Sequence, residues 1–153
     1  MPRWLPESPD LRGAPPRSWS PAALAFLGDA VWELYARRFY FAPARLHATY
    51  VAKVTSTTRA EAQAAVVTAL AAKGHLTEAE LGIVKWGRNA QTGKVPERLR
   101  ANGKLYREAT SLEVLVGYLY VSDRARLDDL MARIGWDAAV VGDVPAAPVE
   151  AEM

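Results

Sequence analysis

A chain of 153 residues, 50% apolar and 24% charged, has the length and composition of one soluble globular domain with a proper core. Its net charge of +2 is too small to announce a polyanionic partner by itself, and the absence of cysteine excludes a disulfide scaffold, a zinc ribbon and a thiol nucleophile. No stretch approaches the roughly 18 consecutive apolar residues of a membrane span, and cysteine-free composition is compatible with a reducing cytosol, so a cytoplasmic protein without membrane contact is expected.

The N-terminal stretch "MPRWLPESPDLRGAPPRSWSP" has no apolar core after its charge, so it does not read as a signal peptide. Its five prolines before Pro21 predict an extended, mobile arm over residues 1–17. A domain over 18–143 follows, and "VPAAPVEAEM" reads as a second disordered tail over 144–153. Ser20 is a candidate N-cap with Pro21 at the first helical position, where a missing N–H costs nothing. Leu24, Leu27, Val31 and Leu34 then fall on one face of a helix that should end near Phe41, because Pro43 disfavours helical geometry before it.

A second helix is expected over "ARLHATYVAKV", stopping at the polar "TSTT", and a third over "RAEAQAAVVTALAAKG", ending at Gly74. Thr77 and Glu80 form a capping box that opens "EAELGIVKWGRNAQ". After a loop around Gly93 and Pro96 comes the most apolar helix, "LYREATSLEVLVGYLYV", and then "RARLDDLMARIG", ending at Gly135. No alternating strand and no repeat is present, so the expectation is an all-α domain of about six helices.

Two of these helices carry a carboxylate where the pattern calls for a core residue: Asp29 in "LAFLGDAVWELY" and Glu113 in "SLEVLVGYLY". Glu33 lies one turn after Asp29 on the same face. If packing brings Glu113 close, the three could offer oxygens to one Mg²⁺, which takes one or two carboxylates plus water and phosphate oxygens. Each acid alone more simply sits at a helix edge or pairs with Arg37, Arg38 or Arg107. Gly28 and Gly117, each near an acid, would let another helix or a ligand approach the backbone. Spacing by itself leaves both accounts open.

"LAFLGDAVWELYARRFY" resembles the signature helix of ribonuclease III nuclease domains, above all of their compact branch, Mini-ribonuclease III. The likeness continues through "TSTTRAEAQAA", "LTEAELGIVKWGRNAQTGKVP" and "YREATSLEVLVGYLYV", from about Pro21 to Leu130. It implies an all-helical homodimer that cleaves double-stranded RNA with Mg²⁺ (Mn²⁺ as an alternative), leaving 5′-phosphate and 3′-hydroxyl ends. The implied task is maturation of ribosomal RNA precursors, notably of the large subunit, where ribosomal proteins on the precursor would be further partners. By motif, Asp29 and Glu113 match the catalytic, metal-binding acids, with Glu33 as a further candidate ligand. Full-length ribonuclease III carries acids where this chain has Ala22, Ala25 and Thr110, a loss that the compact branch shares. One firmly held Mg²⁺ is therefore expected, and no double-stranded-RNA-binding domain is expected after the nuclease domain. No histidine is needed for such a mechanism, and His47 and His75 read as surface or helix-end residues.

From Lys85 to Arg107 there are seven basic residues against one acid, whereas after Val121 there are seven acids against three bases. A basic, glycine-containing loop suits phosphate contacts, which set affinity more than sequence preference. With the resemblance, Arg88, Asn89, Lys94 and Arg98, together with Lys85 and Lys104, become the RNA-binding candidates, while Trp86 and Tyr106 read as packing residues. Phe26, Val31, Trp32 and Tyr35 spread apolar surface wider than one core-facing stripe, which predicts a dimer packed along the first helix. The competing reading is a non-catalytic RNA-binding or scaffold protein of the same fold, which would predict loss of Asp29 and Glu113.

Overall fold

The computed structural model describes residues 6–90, 97–134 and 136. Six α-helices carry them: α1 (Pro21–Phe41), α2 (His47–Thr58), α3 (Ala60–Ala72), α4 (Glu78–Asn89), α5 (Gly103–Ser122) and α6 (Arg124–Ala132), with 3₁₀ turns at Pro16–Ser18 and Glu97–Asn102. No strand occurs among the described residues. The all-α expectation holds.

Local chemistry sets most of the boundaries. Ser20 Oγ accepts the Ala23 N–H at 3.1 Å with Pro21 at the first position, and α1 ends at Phe41, just before an extended Ala42. The Thr77/Glu80 box is closed in both directions, at 3.1 and 2.9 Å. Gly74 stands at φ +71, a left-handed turn that glycine adopts without strain, where α3 ends. Asn102 and Asp123 cap α5 and α6 in the same manner as Ser20.

The "TSTT" break is a correction: those residues are the last turn of α2. Ser56 and Thr57 direct their hydroxyls back to the carbonyls of Lys53 and Val54, so the helix absorbs them instead of ending. The helices also begin or stop a few residues away from the expected limits, and the loop around Gly93 and Pro96, Gly135 and the tail over 144–153 lie outside the described residues. Within the expected mobile arm, Pro6, Ser8 and Arg17 touch the helical domain. Tyr120 donates its hydroxyl to the Pro6 carbonyl at 2.8 Å, Ser8 donates to the Tyr120 carbonyl, and Arg17 lies 4.6 Å over the Trp86 ring.

Helix α5 is the axis of the bundle, with α1, α3 and α4 packed against it and α6 following at its end. Leu112, Val114 and Leu115 are fully buried there. Trp32 enters the same core from α1: it is 0% exposed, donates its indole N–H to the Thr57 carbonyl at 3.0 Å, and sits 4.7 Å from the ring of Trp136. Truncating a residue so placed costs about 3–5 kcal/mol.

That placement corrects the expected dimer surface. Val31, Trp32 and Tyr35 are buried within the chain's own core, so they have no free area to offer a second copy. The first helix is apolar over a wide arc because α2, α4 and α5 all reach it. Phe26 alone of the four faces outward, 86% exposed.

Candidate active site

The acid pair is built by glycine. A methyl group on Gly28 would lie 1.8 Å from the Glu113 carbonyl oxygen, and one on Gly117 would lie 2.0 Å from the Leu24 carbonyl oxygen. Helices α1 and α5 therefore cross backbone against backbone, closer than any side chain permits. Asp29 follows Gly28 directly and Glu113 sits one turn before Gly117, so the crossing sets both acids at one junction. This is why a glycine stands inside an otherwise apolar helix. Gly87 plays a similar part for α4, where an added Cβ would meet Val114 at 2.9 Å.

The electrostatics follow from the placement. Burial, and then the nearby charge of Asp29, pushes the Glu113 carboxyl up to about 8. Asp29 is also raised, by partial desolvation first and by Glu33 second. No cation lowers either of them, and no third histidine, cysteine, aspartate or glutamate joins them in a metal-binding cluster among the described residues. Ala25 and Thr110 are buried in packing at positions where the fuller acid set would stand. Two hard, mutually repelling oxygen donors fit a single Mg²⁺ that keeps several waters. Glu33 is not gathered in with them, for its Oε1 accepts an N–H from Arg37. Of the three acids, only Glu33 adopts the pairing with a neighbouring arginine that was the other open account.

The basic candidates divide. Lys85, Asn89 and Lys104 are exposed on α4 and at the start of α5. Arg88 is held by Glu108, with Nε 2.6 Å from the carboxylate, so it ties α4 to α5 before it meets any ligand. Lys94 lies outside the described residues, and of Arg98 only the backbone, in the second 3₁₀ turn, is described. His47 opens α2 and His75 follows Gly74, a surface and a helix-end position as expected. Sequence reasoning missed one cluster, Arg37 and His47 beside Glu33, whose only linear trace is the four-residue spacing of Asp29, Glu33 and Arg37.

The helical fold and this acid pair define a class, the ribonuclease III nuclease domain, and the Ribonuclease III domain family matches residues 22–124. The Mini-ribonuclease 3 of Synechocystis sp. is 47% identical over 118 residues, covering 77% of this chain and 79% of its own. That of Synechococcus sp. is 41% identical over 137 residues, covering 86% and 96%. A crystal structure of a Fusobacterium nucleatum protein superposes with a TM-score of 0.64 at 27% identity, over 76% of this chain and 91% of that one. The chain belongs to the Mini-ribonuclease III family and is an endoribonuclease. No helix among the described residues is long and apolar enough to cross a membrane.

Proposed function

We propose that this protein is a cytoplasmic, homodimeric, Mg²⁺-dependent endoribonuclease that cleaves double-stranded RNA during maturation of ribosomal RNA precursors, at the ends of the large-subunit RNA. The observation that carries the reading is the glycine crossing of α1 and α5, which sets Asp29 and Glu113 together with no cationic partner among the described residues. Satisfied structural acids have partners; an uncompensated pair at a helix junction is the arrangement of a working site.

Asp29 and Glu113 would hold one Mg²⁺, with Mn²⁺ meeting the same oxygen set, and the ion when bound supplies positive charge that activates water and offsets charge on the phosphate. Glu113 stores a proton near neutral pH while the site is empty of cations and releases it when a positive charge arrives. Lys85, Asn89 and Lys104 give the duplex phosphate contacts, which suits a substrate read by shape more than by base identity. Phe26, flanked by the exposed Ala23 and Ala30, is the apolar point on which a second copy packs. A monomer by light scattering at micromolar concentration would remove that part of the reading.

The test is cleavage of a long RNA duplex with Mg²⁺, beside an EDTA control and Asp29→Asn. The substitution keeps shape and removes charge, so we expect bound but uncut RNA and a rate lower by about a thousandfold or more. A wild-type protein that binds RNA without cutting it would hand the function to the scaffold reading.

A further inference from the structure

Asp29, Glu33 and Arg37 follow one another at four-residue intervals and share one ridge of α1. At about 1.5 Å per residue, Arg37 stands about 12 Å beyond Asp29 along the helix axis. The far end of this ridge borders a pocket of about 330 Å³ between α1 and α2, lined by Glu33, Arg37, His47, Tyr50, Thr55 and Thr58 among others.

The polar groups there suit an anion. A guanidinium and an imidazole can both donate to phosphate oxygens, and the threonine hydroxyls add donors and acceptors beside them. Arg37 gives Glu33 one of its five N–H donors and remains 61% exposed, so most of its fork is open to a second acceptor. Tyr50 donates its hydroxyl to the Arg37 backbone carbonyl at 2.8 Å, which ties α2 to α1 across the pocket. Glu33 is the one acid in the lining, and its pairing with Arg37 offsets the charge that would otherwise repel an anion.

We propose that this pocket is a second phosphate subsite for the RNA strand that enters the Asp29–Glu113 site, with Arg37 and His47 as its donors. The bound phosphate is a neighbour of the scissile one, because Arg37 is too far along α1 to reach the same group as Asp29. Such a contact fixes which bond of the strand faces the acids, a positioning role and not a chemical one. The inference rests on the reading of this protein as a double-stranded ribonuclease.

The experiment measures binding of a blunt RNA duplex to the full chain carrying Asp29→Asn, across a range of KCl concentrations. Adding Arg37→Gln is expected to weaken binding about threefold to tenfold and to flatten the plot of log affinity against log salt by about one unit. Arg37→Lys keeps the charge and should keep that slope. Glu33→Gln tells a subsite from a purely structural pair: the subsite predicts equal or tighter binding, since Arg37 then serves the phosphate alone. Unchanged affinity or slope in Arg37→Gln, or a loss in Glu33→Gln as large as that in Arg37→Gln, overturns the subsite and leaves the nuclease reading standing. If the Asp29→Asn protein binds no duplex and the wild type cuts none, the nuclease reading fails and takes the subsite with it.

Discussion

Glu80 and Glu113 are both sheltered from water, one at the junction of α4 and α6 and the other at the crossing of α1 and α5. Glu80 is surrounded by donors. Arg126 approaches both of its oxygens at 2.8 Å, the Thr77 N–H bonds Oε1 at 2.9 Å, and the second Arg126 terminal nitrogen reaches Asp129. The arginine holds the Glu80 carboxyl below the usual carboxylate range despite the opposing effect of burial. Glu113 has another acid for a neighbour and is pushed the other way, up to about 8. Burial alone therefore does not tell a paired structural acid such as Glu80 from the proposed metal ligand Glu113; the sign of what surrounds each does.

The hardest test of this contrast is the crossing itself. Gly28→Ala puts a methyl group onto the Glu113 carbonyl, so the helices must separate, and a loss of about 3 kcal/mol or more is expected in urea denaturation. A variant of wild-type stability would mean that the acids are brought together by something else. Next in size, Glu80→Gln weakens a charged bidentate pair and leaves Arg126 underpaired, at an expected cost of about 2–3 kcal/mol, whereas Glu113→Gln removes an unfavourable charge and should raise the Tm of the chelated protein at pH 8. Substitutions of equal size at buried Glu80 and half-buried Glu113 should thus move stability in opposite directions.

The most gradual effect is the pH profile. Folded Glu113 keeps its proton up to about 8, while the unfolded chain releases it near the usual 4.5, so between those values the native state binds more protons. In chelator, stability should fall as pH rises through that window, read as a falling Tm. Glu80 works in the opposite sense: its contribution is present above the usual carboxylate value and is lost as pH falls through its lowered one. Added Mg²⁺ should flatten the alkaline decline, and a decline unaffected by Glu113→Gln would assign it to another group.

What the sequence made legible was local. Ser20 before Pro21, Thr77 with Glu80, and Gly74 after α3 are caps whose geometry is complete within a few residues, and each was found where it was expected. Asp29 and Glu113 stood out because they interrupt apolar patterns. The misreadings come from partners distant in the chain. Arg88 meets Glu108 20 residues away, and Arg126 meets Glu80 46 residues away, pairings that no linear spacing announces. Trp32 points inward for the same kind of reason, since the Thr57 carbonyl and Trp136 that receive it belong to other elements.

The glycine crossing has a practical side. Gly28 and Gly117 bring the two helices backbone to backbone, and no cation among the described residues favours the charged form of Asp29 or Glu113, so exchanging an oxygen of either acid should leave the scaffold standing. On the proposed assignment of Asp29, one oxygen-for-nitrogen exchange gives a silent version of this nuclease. Expressed in living cells, the Asp29→Asn protein would then serve as bait, and the transcripts that remain on it after lysis, read directly by sequencing, would report its targets.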